Sequence, residues 1–169
     1  MPAEPSAIAA LAASGQVEQA ARRKLHQVAG AYWARPPRYD RWLDMLESAA
    51  LAGDEALRAA CLAILSSHAS TRERLAVLPD LYRTCLGDIA PLHSVLDVAC
   101  GLNPLASPWM PLARGARYIA CDVYTDLAGF LNKALPLLGH AGTGLACDIL
   151  SRMPNEPVQA ALLMKALPC

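Results

Sequence analysis

The sequence lacks several patterns by which classes of protein are recognised. Its 15 basic and 15 acidic residues give a formal net charge of zero, so no global field attracts nucleic acid or a membrane surface. No uninterrupted apolar run reaches the roughly 20 residues of a membrane span. The N-terminal run MPAEPSAIAALAASG has no basic residue before it and is interrupted at Glu4, unlike a signal peptide. These absences predict a soluble, cytoplasmic protein with no membrane partner.

The cysteines also lack the spacing of a metal site. Six are present, and no two form a C-x-x-C pair, so the usual zinc ligand pattern is missing and we expect no metal. Three of them stand at the ends of predicted strands, where a small apolar thiol packs well. In a cytoplasmic protein we expect these cysteines to be reduced thiols.

Two patterns divide the chain near residue 90. Up to that point apolar residues recur at helical spacing, which predicts helices over residues 17–33, 37–51 and 54–68. A further helix is predicted to begin at Ser70, with Glu73 completing a capping box. From residue 93 onwards, strands are predicted at 94–100, 116–122, 144–148 and 158–167, with a helical segment at 124–139. The expected domains are therefore a helical region, 1–90, and an α/β region with a parallel sheet, 91–169.

Three of the predicted strands carry an aspartate at or near the end, namely Asp97, Asp122 and Asp148. The spacings of 25 and 26 residues each match about one strand–helix–strand unit, so the carboxylates should line the ligand-binding edge of the sheet. Such groups accept hydrogen bonds from ribose hydroxyls and amines. Each aspartate could instead cap the helix that follows, but three at matched strand ends favour a ligand.

The turn after the first predicted strand restricts the class of ligand that the site can bind. It reads Ala99-Cys100-Gly101-Leu102-Asn103, with one glycine followed by Asn–Pro, and it lacks the G-x-G-x-x-G that cradles a dinucleotide pyrophosphate. A nicotinamide oxidoreductase is therefore disfavoured. S-adenosylmethionine, which has adenine, ribose and an amino-acid tail but no pyrophosphate, fits better.

Five motifs in a fixed order give the sequence a family resemblance. They are "HASTRERL" (68–75), "VLDVACGLNPLASPWM" (95–110), "YIACDVY" (118–124), "CDIL" (147–150) and "ALLMKALPC" (161–169). From about residue 20 to its end the chain resembles the aminoglycoside-resistance methyltransferases that modify N7 of a guanine in the decoding region of 16S rRNA. The resemblance implies a Rossmann-like class I methyltransferase fold, with S-adenosylmethionine as cofactor and the 30S subunit as partner.

The resemblance also implies roles for individual residues. Arg74 corresponds to the arginine that binds the carboxylate of the methionine moiety, and Asp97 orders the turn or holds the methionine amine. Ala99 and Gly101 form the turn against that tail. Asp122 accepts the ribose hydroxyls. The remaining implied positions are Asp148 and Ile149, which frame the adenine, and Lys165, near the reaction centre as the one catalytic candidate.

A basic cluster in the helical region provides candidate RNA contacts, which are Arg22, Arg23, Lys24, Arg35, Arg38 and Arg41. The same stretch contains Tyr32, Trp33, Tyr39 and Trp42. Cations bind phosphates and aromatic rings stack on exposed bases, although basic residues also line the solvated faces of ordinary helices and tryptophans are often core residues. With the resemblance, we expect some of these residues to face rRNA.

The chain departs from the family in length, because family members continue past "LPC" through further strands. We therefore expect a truncated or incomplete form of a longer enzyme. Two alternatives to an active rRNA methyltransferase stay open. One is an inactive module that binds rRNA or cofactor without transferring a methyl group, and the other is a small-molecule methyltransferase.

Overall fold

The structure is a computed structural model that describes residues 36–148 and 154–164. Among these residues four strands form one sheet: β1 (Leu92–Val98), β2 (Leu112–Asp122), β3 (Ala141–Ala146) and β4 (Ala160–Leu162). The α-helices of the same residues are α1 (Tyr39–Ala52), α2 (Asp54–Leu65), α3 (Ala69–Arg72), α4 (Leu78–Leu86) and α5 (Thr125–Leu137). The helix predicted over 17–33 lies outside the described residues.

All the strand pairings are parallel, and the strand order is β3-β2-β1-β4. The chain moves to one side of β1 to form β2 and β3, and it returns to the other side to form β4. This reversal places a topological switch point at the carboxyl end of β1, where sheets of this kind bind their ligands. The prediction of helices followed by a parallel α/β sheet is confirmed.

Towards their carboxyl ends the two central strands, β1 and β2, have consecutive buried residues, so both faces of the sheet are shielded there, as is usual for a parallel sheet. On one face Leu96 and Val98 of β1 pack with Ile119 and Cys121 of β2. Because side chains alternate along a strand, Asp97 and Tyr118 belong to the opposite face, and both are fully buried. The first face is therefore apolar at the carboxyl end of the central strands, whereas the second contains a buried carboxyl group.

Aromatic packing joins α1 to α5. The ring of Tyr39 stacks on Phe130 with centroids 5.1 Å apart, and Trp42 meets the same ring edge-on at 5.9 Å. All the described residues belong to one compact unit, so α1 to α4 and the sheet share a core. The division into regions 1–90 and 91–169 stays a prediction.

Strand β3 begins at Ala141, three residues before the predicted start. Its first residues, Ala-Gly-Thr-Gly, have weak strand propensity. The glycines are required by close packing, because a methyl group on Gly142 would overlap the side chain of Leu135, and one on Gly144 would overlap the carbonyl oxygen of Ala128. Of the strand predicted at 158–167, only 160–162 is strand among the described residues.

Two local predictions are wrong. Ser70 does not cap a helix: His68 is the N-cap residue of α3, and Ser70 lies buried inside that helix. The helix starts earlier because Thr71 donates its hydroxyl to the carbonyl oxygens of Leu65 and His68, at 2.5 and 3.1 Å. The expectation of reduced cysteines fails for a pair joined by a disulfide, Cys121 and Cys147, at the ends of neighbouring strands.

Candidate functional site

The turn that follows β1 is held by Asp122, the last residue of β2. One carboxylate oxygen of Asp122 accepts the backbone N–H of Gly101 at 2.8 Å, and the other accepts the N–H of Val123 at 2.7 Å. Ala99 and Gly101 both have φ of +50°, the left-handed region in which only glycine is free of strain. The turn is therefore tight, and it brings the backbone of residues 99–101 up to the Asp122 carboxylate.

Asp97 lies one step deeper than Asp122. It pairs with Ala120 in the sheet register, two residues before the end of β2, and it is completely buried. One oxygen, Oδ2, accepts two hydrogen bonds, from Nδ2 of Asn103 at 2.9 Å and from the hydroxyl of Tyr118 at 2.7 Å. The other, Oδ1, is buried and has no partner in the described part of the chain.

Burial raises the pKa of Asp97 to about 7, while the hydrogen bonds from Tyr118 and Asn103 and the positive charge of Arg74 act in the opposite direction. A carboxylate in an apolar environment favours its neutral form unless charges or hydrogen bonds compensate. Asp97 is therefore balanced between its two protonation states near neutral pH, and an added cation at Oδ1 would favour the ionised form.

Arg74 supplies the positive charge of the site. It follows α3, and its Nε donates to the carbonyl oxygen of Ser70 at 3.1 Å, which fixes the plane of the guanidinium. Its Nη1 is buried without a hydrogen-bond partner among the described residues. Because buried polar groups are nearly always paired in native proteins, the site holds an unpaired donor on Arg74 and an unpaired acceptor on Asp97. That combination matches the two charged groups of an amino acid.

The other predicted cofactor residues have separate positions. Ala99 and Gly101 form the turn, as expected. Asp148 follows β3 and is exposed, and the preceding residue, Cys147, donates its backbone N–H to the carbonyl oxygen of Asp122 at 2.8 Å. Asp148 therefore lies just after β3, which is the neighbour of the strand that ends at Asp122, β2. Ile149 and Lys165 lie outside the described residues, so their roles stay predictions.

Tyr39 is a candidate site residue that sequence reasoning grouped only with the RNA-facing aromatics. Burial, followed by the charges of Asp122 and Asp126, raises the pKa of its hydroxyl to about 12, so the hydroxyl stays protonated at neutral pH. Asn103, Tyr82 and Tyr118 were missed as well. Asn103 lies in the quoted motif "VLDVACGLNPLASPWM", and the one signal that could have identified it as a site residue was its polar side chain within an apolar stretch. Tyr118 begins the quoted motif "YIACDVY", but nothing in that motif indicated a contact with Asp97, and no pattern marked Tyr82.

Two of the predicted RNA contacts, Arg38 and Arg41, are exposed at the start of α1. They line a groove of about 670 Å³ between α1 and α5, to which Lys133 contributes a third cation and Asp40 and Asp126 contribute acids. The other four, Arg22, Arg23, Lys24 and Arg35, lie outside the described residues. Tyr39 and Trp42 pack against Phe130, so their rings have a structural role whether or not they also meet a base.

Within residues 36–148 and 154–164, no group of three or more His, Cys, Asp or Glu side chains is arranged to hold a metal ion. The same residues contain no helix that is both long and apolar enough to cross a membrane.

The chain has the Rossmann-like class I methyltransferase fold. The features that indicate it are a parallel sheet of order 3-2-1-4, an acid at or near the end of each of the first two strands, and the tight turn that follows β1. Comparison with known families specifies the assignment further. The family model described as "Ribosomal RNA methyltransferase (FmrO)" matches residues 2–169, and the chain belongs to this family.

Individual relatives agree. The chain is 42% identical over 166 residues to a 16S rRNA (guanine(1405)-N(7))-methyltransferase of Micromonospora echinospora, covering 95% of this chain and 61% of that relative. Among solved structures it resembles the 16S rRNA methyltransferase RmtF in complex with S-adenosyl-L-homocysteine, with a TM-score of 0.69 and 35% identity over 91% of this chain and 56% of RmtF. For the 16S rRNA methylase RmtB the TM-score is 0.60 and the identity 33%, over 87% of this chain and 55% of RmtB.

Proposed function

We propose that the protein transfers a methyl group from S-adenosylmethionine to N7 of a guanine in the decoding region of 16S rRNA, within the 30S subunit in the cytoplasm. The observation that carries the proposal is the pair of unpartnered buried atoms, Oδ1 of Asp97 and Nη1 of Arg74, beside the turn held by Asp122. Membership of the rRNA methyltransferase family and the complex of RmtF with S-adenosyl-L-homocysteine support the same cofactor.

Each group of the cofactor has a candidate partner in this chain. Arg74 binds the methionine carboxylate, and the free oxygen of Asp97 accepts the ammonium. Asp122 accepts the ribose hydroxyls, and its bonds to the amides of Gly101 and Val123 fix its orientation before the ligand arrives. Ala99 and Gly101 line the amino-acid tail. Asp148 and Ile149 are proposed to frame the adenine.

The chemistry requires positioning more than acid–base catalysis. S-adenosylmethionine supplies an electrophilic methyl group on a sulfonium. A guanine N7 has a lone pair and no proton, so the attack needs no general base, and alignment of the two reactants accounts for most of the acceleration. We therefore assign the described residues to holding the donor, and keep Lys165 as a proposed residue near the reaction centre.

The rRNA is proposed to bind the basic cluster of the N-terminal part. Arg38 and Arg41 are exposed beside the groove that Lys133 also lines. Arg22, Arg23, Lys24 and Arg35 are proposed to bind rRNA as well. Cations on such a surface bind phosphates in a salt-dependent manner. The product would carry an extra methyl group and positive charge in the decoding region, and these would block an aminoglycoside from packing there.

A test of the proposal incubates the chain with purified 30S subunits and S-adenosylmethionine labelled on its methyl group. The expected result is label in 16S rRNA, with chain cleavage at a single guanine after the borohydride and aniline treatment that detects N7-methylguanine. Label on a small molecule but not on rRNA would contradict the proposal.

A second candidate function is cofactor or rRNA binding without methyl transfer. The chain spans 61% of the length of the Micromonospora echinospora relative, and the labelling assay separates the two functions. In the second case S-adenosylhomocysteine binds with saturation, but 30S subunits take up no label in the same assay.

A further inference from the structure

Asn103 joins two elements around the buried carboxylate of Asp97. It is 1% exposed and begins the 3-10 helix Asn103–Trp109 after the turn. Its Nδ2 donates to Oδ2 of Asp97 at 2.9 Å, and its Oδ1 accepts the hydroxyl of Tyr82, on α4, at 2.6 Å. A flipped amide would turn its oxygen towards the Asp97 carboxylate, which can only accept when it is ionised, so the bond to Asp97 fixes the orientation of the amide.

Tyr118 completes the arrangement from β2. Its side chain is fully buried, and its hydroxyl donates to the same oxygen of Asp97, Oδ2, at 2.7 Å. Two donors therefore converge on one carboxylate oxygen, while the other oxygen receives none from the described residues. Two hydrogen bonds from separate elements fix the rotation of the carboxylate and leave Oδ1 with its lone pairs available.

A cluster that served only to stabilise the fold would be expected to pair both oxygens, because an unpaired buried polar atom is destabilising. The asymmetry instead fits a carboxylate whose second oxygen is kept for a ligand. Arg74 lies near enough to act on Asp97 electrostatically, so a cationic donor and an acidic acceptor belong to the same site.

We propose that Asn103 and Tyr118 are positioning residues for the amino-acid end of the cofactor, and that Tyr82 supports Asn103 in this role. By holding Oδ2 of Asp97 they direct Oδ1 to the ligand ammonium and favour the ionised carboxylate. This inference rests on the proposed function, and it assigns a purpose to the Asn–Pro of the motif "GLNP".

The charged and titratable groups that interact with Asp97 come from several elements. They are Arg74 after α3, Tyr82 on α4, Cys100 in the turn, and Tyr118 and Asp122 on β2. Of these, the hydrogen bonds of Tyr118 and Asn103 and the charge of Arg74 lower the pKa of Asp97, whereas Asp122 raises it. Removing either hydrogen bond therefore raises the pKa of Asp97 and leaves more of it neutral at pH 7.

The test compares two ligands by calorimetry. S-adenosylhomocysteine has the amino-acid end, and 5′-methylthioadenosine has the same adenosine and thioether sulfur without it. In Tyr118→Phe and in Asn103→Ala, the affinity for S-adenosylhomocysteine at pH 7 should fall by about tenfold or more, as is typical when a hydrogen bond to a charged group is lost. The affinity for 5′-methylthioadenosine should not change, and the loss should shrink at pH 8.5, where Asp97 ionises again.

Asn132→Ala is the matched control. Its amide also makes several hydrogen bonds, with the backbone of Gly144 at 2.8 and 2.9 Å and with the carbonyl oxygen of Ala128 at 3.0 Å, but it ties α5 to β3 away from Asp97. This variant should lower the melting temperature and leave the affinities for both ligands unchanged.

Two results would overturn the inference while leaving the proposed cofactor in place. One is an equal loss for both ligands in Tyr118→Phe, which removes a single oxygen atom and is the milder variant. The other is an unchanged affinity for S-adenosylhomocysteine in both variants. If the unsubstituted, folded chain binds neither ligand, the proposed function itself fails, and this inference fails with it.

Discussion

Replacing Asp97 by asparagine tests whether the buried carboxylate is retained for a cationic ligand although it lowers stability. The substitution preserves shape, and the amide oxygen can accept the bonds that Tyr118 and Asn103 donate to Oδ2 of Asp97. What it removes is the negative charge. The ligand-free protein should therefore become more stable at alkaline pH, while S-adenosylhomocysteine binding is lost because the ammonium has no anionic partner.

The size of the effect follows from the pKa of Asp97, which burial raises from 3.8 to about 7. When Asp97 is fully ionised, that difference corresponds to about 4 kcal/mol of lost stability. The pKa of Asp97 is higher in the folded protein than in the unfolded one. The stability that protonated Asp97 contributes is therefore fully present below pH 3.8 and is lost as the pH rises through about 7. About 2.5 kcal/mol of the loss falls between pH 5 and pH 8.

The assay is urea unfolding of both proteins, free of ligand, at pH 5 and at pH 8. The free energy of unfolding of the unsubstituted chain should fall between the two pH values by about 2.5 kcal/mol more than that of Asp97→Asn. Constant packing differences cancel in this comparison, and so does the titration of distant groups. If the two proteins lost the same stability between pH 5 and pH 8, the assignment of Asp97 as a destabilised, ligand-directed carboxylate would be refuted.

Three further predictions concern the ligand, the RNA and the fold. Arg74→Ala should weaken S-adenosylhomocysteine binding at least about tenfold, because the carboxylate loses a charged partner, and should spare 5′-methylthioadenosine; the exposed Arg72→Ala is the control, and equal effects of the two substitutions would contradict the assignment. Charge reversal of Arg38 and Arg41 to glutamate should weaken 30S binding in filter assays and reduce its salt dependence without changing cofactor affinity. Reversal of the exposed Arg114 is the control and should have little effect. Unaltered subunit affinity in the double variant would show that these arginines do not contact the subunit. Gly144→Ala should lower the free energy of unfolding by about 1–3 kcal/mol, since its methyl group would overlap the Ala128 carbonyl oxygen. Gly129→Ala in helix α5 should raise the free energy of unfolding by about 0.5–1 kcal/mol, because a methyl group at that position meets open space. Changes of the same sign would contradict the packing described for β3.

The sequence was most informative where function requires a residue type at a fixed point of the topology. An acid at the end of the second strand of such a sheet is read directly from spacing, and Asp122 is indeed the last residue of β2, with both oxygens bonded to the backbone. The tight turn was likewise visible in Gly101. These features are local, so chain order alone places them.

Features that depend on distant packing were not visible. Tyr82, Asn103 and Tyr118 meet at Asp97 only after α4, the 3-10 helix and β2 have packed together, and no periodicity marks that meeting. The early start of β3 was hidden by glycines that serve contacts with α5 rather than strand propensity. The helix predicted to begin at Ser70 starts earlier because Thr71 bonds back to residues 65 and 68.

The role of the Asp97–Arg74–Asp122 site as a cofactor site is tested most directly by a calorimetric titration of the chain with S-adenosylhomocysteine. The proposed function predicts saturable one-to-one binding that is abolished in Asp122→Ala while the circular dichroism spectrum stays close to that of the unsubstituted chain. A folded chain that shows no saturable binding, or an Asp122→Ala variant that binds as tightly as the unsubstituted chain, would contradict it.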